Sequence, residues 1–137
     1  MTKSMILGDD PIWEKTAAVA EYAYGLLDSL PEEEAWGIAS TLRRVSFAAT
    51  DDIAEAAGSH DPRDRMHHYG HARREIFGLK NALVMARRLA GVDVDPEILL
   101  CVDEILEAVD HQFADAQKHI QPYLSQYETH DKSETKK

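Results

Sequence analysis

Residues 61–91, DPRDRMHHYGHARREIFGLKNALVMARRLAG, decide the fold class. Asp61 offers a side-chain cap, and Pro62 stands at the first helical position, where a missing N–H costs nothing. Tyr69, Ala72, Ile76, Leu79, Leu83, Ala86 and Ala90 then recur in alternating steps of three and four, the period of one helical face. Gly91 is placed to end the run. The pattern predicts a helix over 62–90. Asp95–Pro96 repeats the opening, and Leu99, Val102, Leu106, Val109, Phe113, Ala116, Ile120 and Tyr123 predict a second helix over about 96–125.

The chain before residue 61 reads the same way. Asp9 or Asp10 with Pro11 opens a helix over about 10–28, with the stripe Trp13, Ala17, Ala20, Tyr24 and Leu27. Pro31 and Glu32, Glu33 and Glu34 suit the positive end of a helix over about 31–57, with the stripe Ile38, Leu42, Val45, Ala49 and Ile53. No stretch alternates as a strand does. Sustained heptad spacing favours nearly parallel packing at about 20°, and short connections make neighbours antiparallel. The expected fold is all-α, an up-down-up-down antiparallel four-helix bundle spanning residues 1–127. Residues 128–137 carry no apolar side chain and are expected to form a disordered polar tail.

Several apolar residues fall off these stripes: Ile12, Val19, Tyr22, Leu26, Trp36, Phe47, Phe77, Val84, Ile98, Cys101 and Ile105. Either the bundle uses a broad face of each helix, or the surplus forms a subunit interface.

Composition narrows the partners. The formal charge is −10, which argues against nucleic acid, since phosphate contacts need a basic face. The charge is uneven. Residues 61–90 hold the bases Arg63, Arg65, Arg73, Arg74, Lys80, Arg87 and Arg88, whereas residues 93–124 hold eight acids and one base, Lys118. These segments can pair within one chain or between copies. No apolar run approaches the roughly 20 residues of a membrane span. Met5–Leu7 is too short for a signal peptide core. The lone Cys101 fits a reducing compartment, so a cytoplasmic location is expected.

From Trp13 to about Ala90 the chain resembles a bacterial family of four-helix bundle proteins, the 23S rRNA intervening-sequence proteins. Trp13, Lys15 and Tyr24 resemble its first helix, and Leu30–Pro31 stands where it has an aromatic followed by proline. Glu34, Trp36, Gly37 and Ile38, the paired Arg43–Arg44, and Asp52–Ile53–Ala54–Glu55 match its second helix. The third helix departs from the family at Arg74, Glu75 and Gly78, and the fourth matches in pattern alone. The resemblance implies a homo-oligomer, typically a ring of five, with no catalytic activity and no cofactor. A relative, the accessory protein of diversity-generating retroelements, binds nucleic acid through a positively charged pentamer. The interface expected here comprises Tyr22, Leu26, Trp36, Arg43, Arg44, Phe47, Asp52, Glu55 and Phe77.

Three constellations suggest chemistry. Asp64, His67 and His71 lie at helical spacing and are candidate metal ligands, with no fourth ligand evident, so no metal is assigned. Arg65 and His71 have the order of the Arg and His of HEPN-type ribonucleases, in which His is the acid–base group. Arg63, Arg65, Arg73 and Arg74 give helix three a basic face open to nucleic acid. Glu107, His111 and Asp115 lack the Glu-x-x-His pairs of metal-binding bundles and read as a solvated face. The expected function is a non-enzymatic, self-assembling scaffold or interaction module whose partner is itself or another protein. The alternative is a nucleic-acid-binding accessory protein or HEPN-like ribonuclease.

Overall fold

The computed structural model describes residues 6–34 and 37–135, with side chains as far as residue 120. Four α-helices, α1 (Pro11–Leu26), α2 (Ile38–Gly58), α3 (Pro62–Ala90) and α4 (Pro96–Thr135), dominate, and the described residues contain no strand. Each helix packs on two others: α2 against α3 most extensively, then α3 on α4, α1 on α2, and α1 on α4. No helix among the described residues is long and apolar enough to cross a membrane.

The start signals act as their chemistry requires. Asp10 Oδ1 accepts from the N–H groups of Ile12 and Trp13, both at 2.9 Å. Asp61 Oδ1 accepts from Arg63 N–H at 2.9 Å, and Asp95 Oδ1 from Glu97 N–H at 3.0 Å. Each aspartate satisfies donors that a helix start leaves orphaned. Gly91 ends α3 at φ 69°, the left-handed conformation that costs glycine little.

Three expectations need correction. Helix α2 begins at Ile38, not near residue 31; Glu32–Glu34 form a separate 3₁₀ turn, closed by the Glu34 N–H bond to Pro31 C=O. Gly37, at φ −104° and ψ −103°, lies outside the helical well and breaks continuity. Helix α4 runs to Thr135, so the boundary at residue 127 falls within it; no Gly or Pro follows Pro122 to stop it. In α1 the buried stripe is Thr16, Val19, Ala23 and Leu26, whereas Tyr24 is 47 % exposed. Both stripes have helical period, so spacing left the phase open. Thr16 hides its polarity by donating to Ile12 C=O at 2.7 Å.

The core joins all four helices through Val19, Leu42, Ile53, Ile76, Leu79, Leu83, Val102, Ile105 and Val109, each at most 1 % exposed. Val92 and Val94 of the α3–α4 connection are buried too, and Tyr22 accepts the Asp95 N–H at 2.8 Å, tying that connection to α1. Val19, Leu26 and Ile105 therefore belong to this core. Phe47 and Phe77 do not, at 69 % and 45 % exposed. The opposite charges of α3 and α4 meet within one chain, as Arg73 binds Asp110 and Lys80 binds Asp103. These exposed pairs set register more than stability.

Ile53→Ala and Phe47→Ala separate core from surplus. In urea unfolding, Ile53→Ala should cost about 2–5 kcal/mol through lost burial and a cavity, and Phe47→Ala less than about 0.5 kcal/mol. Ser46 is fully buried, and its hydroxyl finds no partner among the described residues. Ser46→Ala should therefore leave stability unchanged or raise it by about 1 kcal/mol in the same assay.

Candidate functional site

The residues expected at an interface separate into two surfaces and a buried seam. Trp36 lies outside the described residues. Leu26 is spent in the core, and Tyr22 is half-buried against it. On α2, Arg43, Arg44, Phe47 and Glu55 are exposed. Tyr24 of α1 donates its hydroxyl to Arg43 C=O at 3.5 Å. In an α-helix that carbonyl also receives the N–H of the fourth residue on, here Phe47, so Tyr24 sits at the base of Phe47. Both aromatic residues are exposed, as are Arg43 and Arg44 on the same helix as Phe47. Phe77 belongs elsewhere. The Arg73 guanidinium lies 4.9 Å above its ring while binding Asp110 of α4, which places this aromatic on the α3–α4 side.

Asp52 turns to α3, and Glu55, though exposed, stands within reach of the same histidine. His68 Nδ1 stands 3.0 Å from Asp52 Oδ1, and its Nε2 stands 3.5 Å from Glu55 Oε2. Glu75 lies two turns along the same side of α3. One of its oxygens is buried without a partner among the described residues. Burial raises its carboxyl to about 8; the hydrogen bond to Asp52 and the charges of Asp52 and Asp51 add to this, and Arg44 opposes it. The protonated carboxyl supplies the O–H that Asp52 accepts, which explains how two carboxylates share one seam. The sequence reading assigned neither His68 nor Glu75 a role. The available signal was spacing: His68, Ala72 and Glu75 share one face of α3, and Asp52 and Glu55 one face of α2.

The basic stretch divides as well. Arg65 Nη1 donates to His60 C=O at 3.2 Å, and Arg73 is held by Asp110 and Phe77. Arg63 and Arg74 instead line a groove of about 480 Å³ with Met66, His67, Gly70 and His71, and with Phe113 of α4. Arg65 is absent from that lining. The Arg65–His71 pair thus has its members in different surroundings, as expected six residues apart, where a helix turns them well away from each other. Asp64 accepts from Ser59 Oγ at 3.4 Å, while the His67 and His71 rings lie with centroids 4.4 Å apart and planes tilted by 53°. Among the described residues no three His, Cys, Asp or Glu side chains are grouped to hold a metal ion. A second groove of about 500 Å³ between the α1 start and α4 is lined by Asp10, Tyr69, Glu104, Glu107 and His111, among others. Burial raises the Cys101 thiol, with Glu104 adding and Lys15 opposing, which keeps it a poor nucleophile.

A family model described as 23S rRNA-intervening sequence protein matches residues 9–109. That span covers α1, α2, α3 and the first part of α4, hence the seam, both aromatic surfaces and most of the core. No curated protein matches the chain.

The raised Glu75 carboxyl has a direct consequence for stability. A proton held more tightly in the folded state stabilises it below pH 4.5, and that stabilisation is lost as the pH rises toward about 8. Melting followed by circular dichroism should show the wild type losing a few degrees between pH 5 and 8, to the extent that Glu75 governs it. Glu75→Gln, which keeps the donor to Asp52 and cannot ionise, should flatten that decline.

Proposed function

The chain belongs to the 23S rRNA-intervening sequence protein family, and on that premise we propose that it is a non-enzymatic, self-assembling interaction module. The observation that carries this is the exposure of Tyr24 and Phe47, 47 % and 69 %, on a chain whose core closes without them. Large aromatic surface left in water is disfavoured, and it is the usual currency of protein–protein contact.

A second feature favours a closed ring over an isologous dimer. A ring needs two different patches per copy, each meeting the other kind on its neighbour. The Tyr24–Phe47 surface with its two arginines is one. The Phe77–Arg73 surface, beside the acidic helix α4, is the other, and the charges of the two complement each other. Glu55 is placed for a further contact with a neighbour's arginine. Five copies is the number that the family resemblance implies, built from protomers arranged as an up-down-up-down antiparallel bundle. The single Cys101 fits a reducing, cytoplasmic setting. The partner is first of all another copy, and the assembled ring would present its remaining surface to other proteins.

Sedimentation velocity on Phe47→Ala and Phe77→Ala tests this arrangement, with circular dichroism as the control for folding. Each substitution alone should lower the assembly state while helical content holds, because a heterologous contact loses one half in either case. Two variants that sediment as the wild type does would exclude these surfaces as the contact.

A further inference from the structure

We propose that the groove between the first half of α3 and α4 is a binding site for a nucleoside phosphate. Its walls carry two arginines and two histidines, and its floor is aromatic. Arg63, His67, His71 and Arg74 follow one another along α3 at steps of four, four and three, so their side chains rise on one side of the helix. No acidic partner holds any of them among the described residues. The nearest acid preceding Phe113 on α4, Asp110, is already bound by Arg73. Asp64 is engaged with Ser59. A locally positive groove therefore persists on a chain of net charge −10, and Arg forks suit phosphate oxygens.

The floor argues for more than a bare anion. Phe113 is only partly buried although it packs on the core, and Met66 lies beside it in the lining. Gly70 is what leaves the ring uncovered: a Cβ there would stand 3.5 Å from Phe113 Cε2 and 3.9 Å from Cδ2, in ordinary contact. Glycine weakens a helix interior, so an open ring edge is what its presence gives in exchange. A base can lie against that edge while the phosphate meets the arginines. The volume of about 480 Å³ suits a single nucleotide. The overall negative charge works against long polyanions, which makes the free nucleotide the expected source rather than a strand.

Calorimetric titration of the full chain at about 50 mM salt with adenosine monophosphate, inorganic phosphate and a single-stranded oligoadenylate tests the assignment. Adenosine monophosphate should bind at least tenfold more tightly than inorganic phosphate. The Arg63→Gln/Arg74→Gln double variant should weaken both ligands at least tenfold. Gly70→Ala, which places a methyl over the ring and should raise the melting temperature, should weaken the nucleotide severalfold and leave phosphate unchanged. An oligoadenylate no tighter than the mononucleotide supports the free ligand. A tighter one that weakens in the same variants keeps the site and assigns it to a strand. No nucleotide binding at millimolar concentration, or binding indifferent to all these substitutions, would overturn the proposal.

Discussion

The seam between α2 and α3 is the constraint on which the rest of the molecule depends. It is the most extensive helix contact in the chain. Small residues make it close: Ala49 and Ala56 on α2 and Ala72 on α3 are fully buried, and Val45 comes within 3.6 Å of the position a Cβ on Gly78 would take. Close packing of this kind leaves polar groups at the seam little water, so those present must satisfy one another. Asp52 does so through His68 Nδ1 at 3.0 Å and a hydrogen bond with Glu75, and Glu55 stands at the exposed rim, 3.5 Å from His68 Nε2. The seam therefore specifies the mutual register of the two helices through hydrogen bonds that a slipped packing would not form. With register fixed, the exposed sides of both helices are fixed too. Phe47 on α2 and Phe77 on α3 are carried outward in consequence.

Much of this was legible in the sequence, and the failures have physical reasons. The three Asp-Pro openings and Gly91 are local chemistry, and they placed three of the four helix starts within a residue. Helix α2 was read too early because Glu32–Glu34 look like a helical first turn, whereas Gly37 interrupts the path between them and Ile38. The phase of α1 was missed because Thr16 counts as polar in any stripe, and only the back-bond to Ile12 makes it a core residue. Position off the stripes left open whether the surplus residues join a broad core or stay outside it, and the fold divides them: Phe47 and Phe77 are exposed, whereas Val19 and Ile105 are core. Periodicity reports that a helix has an apolar face. Which of two apolar faces is spent inside the chain is decided by the neighbouring helices.

The candidate sites show the same division. Arg63, Arg65, Arg73 and Arg74 form one basic group in the sequence. In the fold, Arg65 and Arg73 are committed to His60 and Asp110, and only Arg63 and Arg74 share a groove. His68 and Glu75 attracted no attention in the sequence because their partners, Asp52 and Glu55, lie on another helix and carry no local signature. The family model matches residues 9–109 without assigning a reaction. The protomer closes its own core and leaves aromatic rings outside it. That combination is the physical basis for reading the chain as one part of an assembly.

The central claim is that those rings are reserved for further copies of the same chain. Light scattering on the purified protein, coupled to size exclusion and run at two concentrations tenfold apart, addresses it most directly. The account predicts a mass that is a whole multiple of the protomer, five by the family resemblance, and unchanged on dilution. A single-protomer mass at both concentrations would contradict it, and Tyr24, Phe47 and Phe77 would then need another partner.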